Sequence, residues 1–329
     1  MRIALCSNMQ RHGSAANVAV LMKAAQRQWG ETPWRGEDAA YPQGTAPALE
    51  VAVVGAGLTG ASTAYHLARR GIMATVFEAA RVGDGASGRT GGLVLEGTAA
   101  GPLKDVSTCV SDLQTLVRAE AIDCDLRLPG CWEIEHGDGA AYPILPWNDS
   151  GQPVHIARTV SGGVVHPVRL LQGILGAAAR HGAQIRENAP IRRILAKPQP
   201  ALEFAAHTIY PEYIVLAANA WLPGLLRNIV KIHSSLTFAC ATESLDRAVL
   251  DAIGLGAGIP FYTADLPYLW GRTLEDGRVI LGAGLVFGSP AQLETSAINA
   301  GGSRAAITKL QQRIRQLHPK LNKVRFSAS

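Results

Sequence analysis

The sequence predicts an α/β fold, α+β overall, on two observations. Residues 51–78 read as strand, glycine turn, helix and strand, the unit from which parallel sheets are built. From Leu236 onward, apolar and polar side chains alternate, the period of a largely antiparallel sheet with two unlike faces. The 329 residues suffice for one large or two ordinary domains, and 47% apolar against 17% charged excludes a disordered chain.

The first unit is the most informative stretch. Val51, Ala52, Val53 and Val54 form an apolar run, followed by Gly55-Ala56-Gly57-Leu58-Thr59-Gly60. A helix is expected from about Thr59 to Arg70, with Gly71 at its C-cap and Arg69 and Arg70 at the negative end of its dipole. A second apolar run, Met73 to Phe77, ends on Glu78. Each glycine has a physical reason: Gly55 for the tight turn, Gly57 for close approach of a pyrophosphate, Gly60 for packing of helix on strand. The first-turn N–H groups then face phosphate, and Glu78 is placed to accept from a ribose hydroxyl. The carboxylate favours a free 2′-hydroxyl over a 2′-phosphate, and the motif alone leaves FAD and NAD both open. The bland alternative is a βαβ unit whose glycines serve packing only.

The glycine-dense run Ala79 to Gly92 (AARVGDGASGRTGG) follows. Its position directly after the acid suits contact with a flat, phosphorylated ligand through Ala79, Arg81, Ala86, Ser87, Gly88, Arg89, Thr90 and Gly91; the alternative is a surface loop. Further on, Asp112 to Ala121 reads as a helix, Gly130 to His136 as a strand, and Gly137 to Pro153 as a Pro/Gly/Asp-rich excursion. Val168 to His181 reads as an amphipathic helix, and Gln184–Arg186 and Ile191–Leu195 as strands. Ile214 to Ala217 is a short apolar strand leading to Ala218-Asn219, where Asn219 either contacts the nucleotide or caps the following helix. In the alternating region, Glu275-Asp276-Gly277 is a hairpin turn. Tyr268, Trp270 and Arg272 share one strand face. Residues 1–48 form a lead-in, with a helix expected over 14–29 and a Pro/Gly/charge-rich stretch over 31–48.

Composition narrows the class. The net charge of +5 is spread along the chain and no nucleic-acid motif accompanies it. Five cysteines, Cys6, Cys109, Cys124, Cys131 and Cys240, form no CxxC, which implies neither a zinc site nor a disulfide framework and favours a reducing, cytoplasmic compartment. No apolar stretch is long enough to span a membrane, and the N-terminus lacks the apolar core of a signal peptide. His166, just ahead of a helix, and His66, inside one, read as structural.

The chain resembles the FAD-dependent amine and amino-acid oxidoreductases of the D-amino-acid oxidase type, a group that includes glycine oxidase, sarcosine oxidase and γ-glutamylputrescine oxidoreductase. The resemblance rests on VVGAGLTG, FEAARVGDGASGRTGG, the stretch Gly162 to Ile194, and YIVLAANAWLPGL. It covers roughly Ala46 to Phe326. It implies a Rossmann-like FAD-binding domain, residues 49–100 and 155–228, interleaved with a substrate domain, residues 101–154 and 229–329. Ile191, Ala218 and Asn219 then join the cofactor contacts. The sheet implies Tyr262, Tyr268, Trp270 and Arg272 as substrate-site candidates, with Arg272 suited to a substrate carboxylate; the alternative is that this face packs on the core with Arg272 at a rim. The implied reaction oxidises the C–N bond of an amine or amino acid by hydride transfer to flavin N5. The imine product hydrolyses, and electrons pass to O2 or another acceptor. After LHPKLNKVRFSAS such proteins carry a further cofactor-domain stretch that this sequence does not show. A C-terminally truncated, non-catalytic chain that retains nucleotide binding is therefore the alternative, with an unclosed sheet edge open to a partner or to self-association.

Overall fold

The computed structural model describes residues 32–34, 41, 50–98, 101–102, 107–137, 144–226, 236–264, 268–286 and 300–328. The helix expected over 14–29 lies outside them. The chain forms two compact units: residues 1–28, 40–82 and 175–234, and residues 29–39, 83–174 and 235–329.

The first unit is built on a parallel sheet in the order β10 (Gln184–Arg186), β2 (Ala74–Phe77), β1 (Val51–Val54), β14 (Tyr213–Leu216). All four residues of both β1 and β2 are buried, which explains why these strands read as continuous apolar runs. Helix α1 (Leu58–Ala68) connects β1 to β2. A small antiparallel sheet of β11 (Arg193–Leu195), β12 (Ala201–Glu203) and β13 (Thr208–Ile209) packs Ile194 and Leu202 with Ala52, Val54 and Phe77. The strand expected over Ile191–Leu195 forms in this unit, beginning at Arg193 and pairing with β12. Three apolar residues state that a strand exists, not which neighbour it takes. Beyond the parallel sheet, β14 leads into a one-turn helix, α4 (Leu222–Leu225). Among the described residues β14 is an edge, with Tyr213 65% and Leu216 36% exposed.

The second unit carries an eight-stranded sheet. Its order is β19 (Phe326–Ala328), β15 (Leu236–Thr242), β18 (Val279–Val286), β17 (Leu269–Thr273), β16 (Phe261–Thr263), β6 (Cys131–His136), β8 (Gln152–Val160), β7 (Ile144–Asp149). Every pairing is antiparallel except β16 with β6. The Gly137 to Pro153 excursion thus contains all of β7 and the start of β8. The hairpin at Glu275–Gly277 forms as the sequence indicates, with Gly277 at φ 80°. One sheet face buries Ile134, Phe261, Leu269 and Leu281 with Leu250 of α5 (Arg247–Ala252) and Leu310, Ile314 and Leu317 of α6 (Ala300–Leu317). The other face carries Trp270, Ile280, Ala239 and Ala241, packed with Trp34 and Val168. Two short pairs, β3 (Leu93–Leu95) with β9 (Gly162–Val164) and β4 (Gly97–Thr98) with β5 (Gly101–Pro102), and helix α2 (Cys109–Ala119) complete this unit. Helix α3 (Pro167–Arg180) contains the boundary between the units at Ile174.

A buried charge cluster fastens α6 to the sheet. Asp149, 2% exposed, accepts from Arg313 Nε at 2.8 Å and pairs with His136 Nε2 at 2.8 Å. Arg313 also donates to the Tyr268 carbonyl at 3.0 Å. Burial pushes the Asp149 carboxyl up, but the hydrogen bonds from Arg313 and His136 outweigh it and hold the group below the usual carboxylate range. A depressed folded pKa contributes stability above the unfolded value, and that stability is lost as pH falls through the folded one. Asp149→Ala is therefore expected to lower stability by about 3–5 kcal/mol at pH 7. The gap to the parent should narrow as pH drops below about 4. Urea unfolding at several pH values measures this, and a pH-independent gap would contradict it.

Candidate functional site

Within the first unit, the turn after β1 is shaped by contacts that exclude side chains. Gly55 sits at φ 101°, and a Cβ there would meet the carbonyl of Ala217. A Cβ on Gly60 would strike the Gly55 carbonyl, so α1 leaves the strand in backbone contact. Leu58 and Thr59 open α1, whose first turn holds no acidic residue and whose N-cap, Gly57, supplies no side-chain bond. The positive end of that helix's dipole favours an anion.

Glu78 ties this turn to the end of β2. Its Oε2 accepts from Ala56 N at 2.9 Å and its Oε1 from Ala80 N at 3.1 Å, while its own N–H donates to Arg186 O at 2.8 Å. A carboxylate offers about four acceptor positions, and these two bonds leave others open. Ala79 and Arg81 follow on the surface. At the end of β14, Ala217 N donates to Val54 O, which brings Ala217 and Ala218 against Gly55. Asn219 has a φ of 46°, and neither the 3-10 turn it opens nor α4 has a side-chain cap bond. Of the two roles open to Asn219, capping is not the one adopted. Ile191 packs on the apolar core of this unit.

The glycine-rich loop belongs to the second unit. Ala86, Ser87, Gly88 and Arg89 form a 3-10 turn, and Gly88 lies so close to Gly83 that no Cβ fits. Arg89 Nε donates to Asp84 O at 3.1 Å, and burial pulls its guanidinium below the ordinary value. Thr90 Oγ1 accepts from Gly92 N at 3.1 Å. A Cβ on Gly91 would fall on the Trp270 indole. Gly92, at φ 69°, accepts at its carbonyl from Val165 N at 2.8 Å and from Arg272 NH1 at 3.3 Å.

The sheet of the same unit brings three of the four aromatic and basic candidates onto one face. Tyr262 lies opposite Trp270, and Trp270 opposite Gly282, so the indole lies over a bare strand. The Tyr262 hydroxyl donates to Glu133 Oε2 at 2.6 Å, and Arg158 grips the same carboxylate with two bonds of 2.9 Å. The Arg158 hydrogen bonds hold Glu133 below its ordinary value; burial and then the Glu133 bond push the Tyr262 phenol up. Glu133 was not legible in the sequence, because only the pairing of β6 with β16 sets it opposite Tyr262. Arg272 is 3% exposed and burial pulls it down to about 10. Its NH1 donates to Val165 O at 2.8 Å as well as to Gly92 O, while Nε has no hydrogen-bond partner among the described residues. Tyr268 precedes β17, and burial raises its phenol. His166 Nδ1 accepts from Arg169 N at 3.2 Å at the start of α3, a structural position. Among the described residues no cluster suits a metal and no helix is long and apolar enough to cross a membrane.

A glycine turn closed by a carboxylate defines a dinucleotide-binding unit, and comparison with known proteins says which kind. The family model for the FAD dependent oxidoreductases (DAO) matches residues 50–329. The chain is 26% identical to a probable oxidoreductase OrdL of Haemophilus influenzae, over 71% of this chain and 64% of that protein. It is 25% identical to gamma-glutamylputrescine oxidoreductase of Escherichia coli, over 73% of this chain and 65% of that one. The chain thus spans under two thirds of these relatives. The structure of glycine oxidase from Geobacillus kaustophilus has a TM-score of 0.59 at 19% identity, covering 84% of this chain and 80% of its own. The chain belongs to the FAD dependent oxidoreductase family, whose cofactor is FAD. The excluded Cβ positions at Gly55 and Gly60 and the spare acceptor positions of Glu78 fit that cofactor's nucleotide half.

Glu78→Ala removes the tie to Ala56 and the carboxylate expected to meet a ribose. FAD affinity is expected to fall about tenfold or more, the worth of a charge-assisted hydrogen bond. Titration of flavin fluorescence measures this, and an unchanged affinity would refute the role.

Proposed function

We propose that the protein is an FAD-dependent oxidoreductase that oxidises the C–N bond of an amine or amino acid. The observation that carries this reading is the Glu78 carboxylate bonded into the Gly55–Gly60 turn, in a chain matched by the family model over residues 50–329. The relatives' names point the same way: gamma-glutamylputrescine oxidoreductase, glycine oxidase and L-proline dehydrogenase of P. horikoshii all name an amine or amino acid. In this reading Gly55 to Gly60, Glu78, Ala79, Arg81, Ala218 and Asn219 hold the nucleotide, and Ala86 to Gly91 hold the remainder of FAD. The cofactor, when bound, supplies the hydride acceptor, and an imine is released to hydrolyse.

The chain's own residues bind and orient. The sheet face of Tyr262, Trp270 and Arg272 is the substrate side, with Tyr268 at its margin. Trp270 offers a flat apolar wall. Arg272 Nε remains to meet a carboxylate, and its buried positive charge disfavours an ammonium nearby, which favours the neutral amine that hydride loss requires. The Tyr262–Glu133–Arg158 chain of bonds keeps the phenol protonated and fixed. Electrons pass on to O2 or another acceptor.

A second reading is a non-catalytic nucleotide-binding chain that needs a partner at its sheet edge. The exposure of Tyr213 and Leu216 along β14 favours it. The visible spectrum separates the two. The enzyme reading expects flavin bands that bleach when gamma-glutamylputrescine, glycine or proline is added without oxygen. Flavin bands unmoved by every amine tested would leave the binding chain, and a soluble protein unable to take up FAD would sink both.

A further inference from the structure

The lead-in stretch ahead of β1 is rich in proline, glycine and charge, yet among its described residues the aromatic side chains Trp34 and Tyr41 are buried. Trp34 is 7% exposed. Its Nε1 donates to the Thr90 carbonyl at 2.8 Å. Its ring meets that of His166 edge-on, at 5.1 Å and 61°. The guanidinium of Arg272 lies over the ring, 5.3 Å from its centroid. Arg272 in turn donates to Gly92 O and to Val165 O. Trp34 therefore acts on both Thr90 and Gly92: the indole bonds the first carbonyl and stacks on a side chain that, beside Val165 N, bonds the second. Between them Gly91 is pressed on Trp270. Three successive loop residues are fixed by aromatic and basic groups drawn from the lead-in and the sheet.

We infer that Trp34 is a positioning residue for the cofactor loop: with Arg272 it clamps the Thr90–Gly92 backbone in the form that receives the flavin portion of FAD. The inference rests on the proposed role of Ala86–Gly91 in holding FAD, and it gives the lead-in a part in the site. A purely space-filling indole would need neither the bond to Thr90 nor the cation above its face. A clamp needs both: the indole N–H holds the Thr90 carbonyl, and the ring seats the guanidinium that shares the Gly92 carbonyl with Val165 N.

The test compares Trp34→Phe, which keeps a ring under Arg272 but loses the N–H, with Trp34→Leu, which keeps apolar bulk and loses both. Apo-protein is titrated with FAD and separately with ADP, which lacks the flavin. FAD affinity is expected to fall roughly three- to tenfold in Trp34→Phe and about thirtyfold in Trp34→Leu, with ADP affinity within about twofold of the parent in both. Parent-like FAD affinity in both folded variants overturns the inference, as does an equal loss for FAD and ADP. If the leucine variant does not fold, the FAD-to-ADP ratio of the phenylalanine variant decides alone. A parent chain that binds ADP but not FAD takes down the proposed function, and this inference with it.

Discussion

The carboxylate of Glu78 joins two ends of the first unit that the chain leaves apart. The turn after β1 and the end of β2 are separated by the whole of α1, and Glu78 bonds Ala56 N across that gap. It can do so because β1 and β2 run parallel in register, Val54 beside Phe77, so both strands end at the same level. The register in turn depends on α1 starting immediately after the turn, which the missing Cβ of Gly60 allows. One short geometric chain thus fixes strand order, helix position and the place where a ribose would be met. Removing the carboxylate leaves a backbone N–H without its acceptor at the point where a pyrophosphate must approach.

The second unit solves a different problem, that of presenting polar groups on a sheet whose opposite face is the core. Period-two alternation sends Phe261, Leu269 and Leu281 inward under α6 and leaves Tyr262, Trp270 and Arg272 on the other side. The polar members of that face are not left to water. Tyr262 is bonded to Glu133, Glu133 to Arg158, and Arg272 to two carbonyls. The burial of Arg272 strengthens its bonds and raises the cost of leaving either of them unmade. Asp149 does the corresponding work for α6: Arg313 and His136 converge on its carboxylate, and Arg313 also bonds the carbonyl of Tyr268.

What the sequence made legible was what local chemistry determines. The run VAVV, the glycine turn, the Met73–Phe77 run and Glu78 announced β1, α1, β2 and the acid, with ends displaced by a residue or two. The Glu275–Gly277 hairpin and the shared face of Trp270 and Arg272 followed from turn chemistry and the strand period. The resemblance supplied FAD, which the turn alone left open against NAD. Pairings between distant strands stayed hidden. The partner of Arg193–Leu195, β12, was not named by its sequence, β7 lay inside a Pro/Gly/Asp-rich excursion, and Glu133 became a partner of Tyr262 only through the parallel β6–β16 pair. Trp34 gave no periodic signal at all, because a single anchor in an irregular segment has no pattern to repeat.

The account stands on the adenosine half of the cofactor being gripped by the Gly55–Gly60 turn and Glu78. Parallel titrations of the apo-protein with FAD and FMN address that directly, since the two share the flavin and differ in the adenosine. The account predicts tight uptake of FAD and at least a hundredfold weaker uptake of FMN, the loss of roughly two charge-assisted hydrogen bonds. Equal affinities for the two would contradict it.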